Sequence, residues 1–184
     1  MDKRLRRILP AVQKPARYTG GEYNEIIKDK AGVKLRMAFC FPDVYEIGMS
    51  NLGMRILYGV INNEPDIWCE RVFAPWGDMA EAMRKNNIPL YALESCDPVS
   101  EFDVLGFSIG YEMAYCTVLD MLDMAGLPVR SEDRTELVPL VFAGGTSCCN
   151  PEPMAPFMDL MVLGEGEEAD VEVLRLFQRA RDEG

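Results

Sequence analysis

From residue 33 onward the chain alternates short, continuously apolar runs with longer stretches whose apolar residues recur every three or four positions. Lys34 to Phe41 ends in Met-Ala-Phe-Cys-Phe, the pattern of a strand covered on both faces. Residues 51–62 predict a helix, with Leu52, Ile56, Leu57 and Val60 on one inward face. Ile67 to Phe73 predicts a second strand. Beyond Pro75, Trp76 to Asn87 predicts a helix that buries Met79, Ala82 and Met83. Leu90 to Leu93 is a candidate short extended piece. Asp103 to Ile109 predicts a third buried strand, followed by a helix from Tyr111 to Ala125 that stops at Gly126, with Pro128 beyond. Its Met113, Met121 and Met124 read as core filling. Leu140 to Ala143 and Leu160 to Leu163 predict the fourth and fifth strands, and about Glu167 to Arg181 a closing amphipathic helix.

Strands that alternate with helices require right-handed parallel crossovers, which place helices on both faces of one sheet. The expected fold class is therefore α/β: a doubly wound five-stranded parallel sheet of the flavodoxin-like order 2-1-3-4-5. In such sheets ligands bind at the carboxyl ends of the strands, beside the point where strand order reverses. The loops after strands one, three and four are then the informative ones. Ahead of the sheet, Pro10, Pro15 and Gly20-Gly21 limit any helix to a brief one. Residues 1–30 read as a basic N-terminal extension, and 31–184 as a Rossmann-type domain.

Charge narrows the classes of partner. The 19 Lys and Arg against 30 Asp and Glu leave a net charge of −11, which argues against a nucleic-acid groove over the body. Lys3, Arg4, Arg6, Arg7, Lys14 and Arg17 nonetheless make the arm locally basic. It reads as a solvated arm lying on the acidic body, with RNA contact as the alternative. The apolar runs Leu137 to Gly145 and Leu160 to Gly164 fall far short of the roughly 20 residues of a membrane span. No export signal follows the basic arm, so a cytoplasmic location is expected. The 6 cysteines are irregularly spaced and read as reduced thiols, and with 0 histidines and no Cys-x-x-Cys pair a structural zinc site is not expected.

The three loops carry the candidate binding residues. After the first strand come Asp43, Tyr45, Gly48, Met49 and Ser50; after the third, Ser108, Gly110 and Tyr111; after the fourth, Gly144, Gly145 and Thr146. Small residues permit close backbone approach to a ligand, and the glycine pair would leave a flat surface for a large planar molecule. Singly, each has a plainer reading as a turn or cap residue. Their common placement at one end of a switch-point sheet points to a ligand site. No Gly-x-Gly-x-x-Gly follows the first strand, which argues against a flavin or nucleotide. Glu165 with Glu167, and Asp120 with Asp123, are read as solvated carboxylates with no acid–base role.

Asp43-Val44-Tyr45-Glu46-Ile47-Gly48 has the spacing of the Asp-x-His-x-x-Gly pattern, and the sequence here resembles the cobalamin-binding domains of methionine synthase, the mutases and many radical S-adenosylmethionine (SAM) enzymes. Ser108 and Gly144-Gly145 look like the later landmarks of those domains. Val141 to Gly145, Asn150-Pro151-Glu152-Pro153, Asp159 and Gly164 to Glu168 resemble the end of this module in radical SAM proteins. Tyr45 to Gly53, with Arg71 to Trp76, is similar to one largely uncharacterised branch of them. The resemblance implies a cobalamin-binding module that supports methyl transfer or a related modification. It also implies a catalytic domain as partner, in cis or in trans, that binds S-adenosylmethionine and a 4Fe-4S cluster on Cys-x-x-x-Cys-x-x-Cys. This chain has no such motif, so it is not expected to be catalytic alone. Tyr45 stands where histidine would ligate cobalt, and a phenol with an ordinary pKa of about 10 is a poor neutral ligand, so cobalamin would be bound without a histidine ligand. The alternative is a degenerate, cofactor-free module that serves as an interaction or substrate-docking domain.

Overall fold

The computed structural model describes residues 2–183. A single five-stranded sheet runs in the order β2-β1-β3-β4-β5, with every pairing parallel. Its strands are β1 (Leu35–Phe41), β2 (Ile67–Phe73), β3 (Val104–Ser108), β4 (Leu140–Gly144) and β5 (Leu160–Met161). The helices are α1 (Lys3–Ile8), α2 (Tyr45–Ser50), α3 (Leu52–Asn62), α4 (Gly77–Lys85), α5 (Tyr115–Met124) and α6 (Gly166–Glu183). The flavodoxin-like α/β class and its strand order are thus those the patterning predicts.

Alternation along the strands divides the core into two layers. Leu35, Met37, Phe39 and Phe41 of β1 face α3 and α6, where they meet Met54, Tyr58, Ile61, Leu174 and Phe177. Ala38 and Cys40 face the opposite layer, built on Met79 and Met83 of α4 and Val118, Met121 and Leu122 of α5. No helix among the described residues is long and apolar enough to cross a membrane.

Several local expectations are corrected. The segment after β1 is helical over Tyr45–Ser50 rather than an open loop, so its side chains are distributed around a helix. In α3 the inward face is Met54, Tyr58 and Ile61, whereas Leu52 and Ile56 are exposed. This helix is apolar nearly all round, so spacing cannot select a face; the sheet and α6 select it. The helix expected from Tyr111 begins only at Tyr115, after a 3₁₀ turn over Glu112–Ala114, and the early turn leaves Met113 86% exposed rather than in the core. Strand β5 covers only Leu160–Met161 rather than Leu160 to Leu163, although Val162 N–H still donates to Ala143 O at 2.8 Å.

The N-terminal arm is built into the fold rather than solvated. Leu5, Ile8, Leu9, Val12 and Tyr18 are buried in the same cluster as Met79 and Met83. Its charges add local pairing: Lys14 and Arg17 meet Glu46 at 3.0 and 2.8 Å. Arg4 reaches the Asn87 carbonyl at 2.7 Å.

Candidate functional site

A groove of about 430 Å³ opens at the carboxyl ends of the central strands, on the layer that holds α3 and α6. Phe39 of β1, Gly106 and Ser108 of β3, and Phe142 and Gly144 of β4 form its sheet wall. Leu57 of α3 and Asp170 of α6 stand opposite, and Gly145, Thr146, Gly164 and Glu165 form the mouth. The location is the switch point, because β1 leads outward to β2 while β3 leads the other way.

Two backbone features shape this end of the sheet. Gly145 has φ +103°, and an added Cβ would lie 2.6 Å from the Ile109 carbonyl oxygen, so only glycine fits without strain. The turn is held by Ser147 N–H donating to Ile109 O at 3.1 Å and by Thr146 Oγ1 donating to Gly110 O at 2.8 Å. Gly144 differs: an added Cβ would meet only Val162, at 3.7 Å or beyond.

Of the residues expected at the site, Ser108, Gly144, Gly145 and Thr146 line this groove together. Gly110 and Tyr111 are not among its lining residues; the Tyr111 hydroxyl donates to Asp43 Oδ2 at 2.8 Å and ties the loops after β1 and β3. The rest of the first loop turns away. Tyr45 packs edge-on to Phe73 with centroids 5.4 Å apart, and its hydroxyl donates to Glu22 Oε1 at 2.7 Å. Burial, helped by the Glu22 carboxylate, pushes that phenol up to about 12. The absent Cβ of Gly48 is replaced by the Phe73 ring, which would lie 2.1 Å from it. Ser50 donates to the Ile47 carbonyl at 2.9 Å within its own helix.

Gly48 and Met49 instead border a second cavity, of about 560 Å³, between α3 and the segment around Glu22. Arg71 lines this cavity. It is already saturated by Glu94 Oε1 at 2.6 Å, Glu22 Oε2 at 2.9 Å and Met49 Sδ at 3.2 Å, and so presents no free cation to a ligand.

Sequence reasoning missed Phe39, Leu57, Gly106, Phe142 and Asp170 as groove residues. Gly106 leaves room that Met37 and Phe142 occupy: a Cβ there would lie 2.3 Å from Met37 Cε. Asp170 had a legible signal, since it falls on the same stripe of α6 as Leu174, Phe177 and Gln178, all buried. An acid at a core-facing position is uncommon without a partner or a use.

The fold is a doubly wound α/β domain with a groove at its switch point. The family model for the N-terminal region of radical SAM proteins matches residues 53–184, and the chain belongs to that family. It is also 23% identical, over 148 residues, to an uncharacterized protein of Methanocaldococcus jannaschii. The match takes in 79% of this chain and 27% of that protein, so this chain spans little more than a quarter of its relative's length.

Proposed function

We propose that this chain is the ligand-binding module of a radical SAM enzyme and that its switch-point groove receives part of a cobalamin, with no axial ligand from the protein. The observation that carries the reading is the groove itself: it is lined by Ser108, Gly144 and Gly145 and includes no lysine or arginine. Its volume lies within the range of small-molecule pockets. It suits a planar heterocycle with its attached sugar, and a corrin ring would have to remain outside it. Glu165, Glu167 and Asp170 on the opposite side disfavour multiply phosphorylated nucleotides and suit a ligand rich in amide donors.

Ser108, Gly144, Gly145 and Thr146 would hold the cofactor, which when bound supplies a carrier for a methyl group. Tyr45 would take no part in ligating cobalt, because its phenol keeps its proton and donates it in a hydrogen bond to Glu22. The protein's contribution here is binding and orientation. Catalysis would belong to a domain that carries the iron–sulfur cluster and S-adenosylmethionine.

Reconstitution with hydroxocobalamin, desalting and a visible spectrum test the reading. The wild-type chain should retain colour, and Gly144→Leu, which fills the groove from a position free of backbone clash, should weaken retention about tenfold or more. A colourless wild-type chain would overturn cobalamin binding. It would favour the cofactor-free docking module, for which the exposed Tyr111, Met113 and Leu163 at the same end of the sheet are the supporting observation.

A further inference from the structure

One carboxylate in the groove is left without a partner by the fold. Asp170 is only 5% exposed, yet it lines the groove. Among the described residues none donates a hydrogen bond to it or pairs with its charge; burial and the neighbouring Glu167 both disfavour its ionised form. The other buried acids are treated differently. Glu94 meets Arg71 at 2.6 Å, and Glu70 accepts from Arg36 Nε at 3.0 Å. The carboxylate oxygens are not sealed off but face the groove, so a donor that enters it can meet them, while the burial of the residue leaves them poorly solvated. Gly166, one turn before it, keeps the approach clear: a Cβ there would lie 2.9 Å from Asp170 Oδ2.

We infer that Asp170 determines the specificity of this groove: its carboxylate receives an N–H donor from a flat, neutral or cationic nitrogen-bearing group of the ligand and rejects the anionic counterpart. The inference rests on the groove being a ligand site, and it adds the chemistry that the site selects. In a cobalamin a carboxamide side chain at the edge of the corrin would have to reach in from the mouth to supply such a donor. With no lysine or arginine among the lining residues, a carboxylate or phosphate entering beside Asp170, Glu165 and Glu167 would meet three carboxyl groups, opposed only by the N-terminal dipole of α6. A charged acceptor paired with a good donor is among the stronger hydrogen bonds, and so among the most discriminating.

Two small probes isolate the selection. Benzamidine carries a planar cation with N–H donors, and benzoate is its anionic isostere. Titrated into the ¹⁵N-labelled chain, benzamidine should shift groove resonances, benzoate should not, and Asp170→Asn should weaken benzamidine about tenfold or more. Because Asp170 has no internal partner, Asp170→Asn should melt at or above the wild-type temperature. A marked loss of stability would show the carboxylate to be structural and overturn the inference. So would benzoate binding as well as benzamidine, or benzamidine binding the variant as well as the wild type. Hydroxocobalamin retention by the same two proteins separates this inference from the cofactor reading. A wild type that binds benzamidine through Asp170 but stays colourless refutes cobalamin and upholds the donor site. Equal retention of cobalamin by both proteins upholds the cofactor and refutes the role of Asp170.

Discussion

A methyl group added at Gly145 would strike the Ile109 carbonyl, whereas one added at Gly48 would strike the Phe73 ring. The first clash is with backbone at a positive φ, and the second is with a packed aromatic side chain. Gly145→Ala should therefore cost about 1–3 kcal/mol through strain, and Gly48→Ala about 1–3 kcal/mol through overpacking. Gly144→Ala should be nearly neutral, since its Cβ meets nothing nearer than 3.7 Å. Urea midpoints measure all three; equal losses at Gly144 and Gly145 would contradict this account of the turn. Adjacent glycines are indistinguishable in sequence, and only the backbone angles and neighbours separate them.

At the scale of elements, the contrast lies between α1 and α3. The first has only six residues, too few to be stable alone, and is held by Leu5 and Ile8 packed toward α4. Leu5→Ala should cost about 2–5 kcal/mol, as expected for a buried leucine and far above the effect of a surface change. A denaturation midpoint unchanged by that substitution would return the arm to a solvated role. In α3 the apolar residues outnumber those one face can bury, so Leu52 and Ile56 remain at the surface. The burial of β2 is complete despite Glu70 and Arg71, because each charged head finds a buried partner in Arg36 or Glu94.

Across the whole molecule the net charge of −11 opposes compaction and sets an unusual pH dependence. Asp170 is pushed up to about 6 by burial and by Glu167, above its ordinary value of 3.8. The folded state therefore takes up this proton at higher pH than the unfolded chain does, and stability should rise as pH falls from about 6 toward 4. Glu46, paired with Lys14 and Arg17, and Asp66, paired with Arg175, are held down to about 2. Their support is present above about pH 4 and is lost as pH falls toward 2. Melting temperature should thus peak on the acid side of neutrality, and Asp170→Asn should reduce the rise between pH 6 and 4, to which Glu94, pushed up to about 7 by burial, and Glu70, also raised by burial, contribute as well. A melting temperature that falls steadily from pH 7 to 5 would contradict this balance.

The strands, their order and the end of the sheet at which a ligand would sit follow from local information: continuous apolar runs mark strands buried on both faces, and their alternation with helices leaves one plausible winding. Which side chains share the groove does not follow from it. Tyr45 and Gly48 fit a binding pattern by spacing, yet a short helix turns them onto Phe73, because their contacts come from β2 and from residue 22, remote in the chain. Asp170 is legible as an acid on an apolar stripe, but its lack of a partner depends on what α3, β4 and the turn at Gly145 bring, or fail to bring, within hydrogen-bonding distance. Periodicity reports burial residue by residue, whereas electrostatic satisfaction belongs to groups that only the tertiary fold assembles.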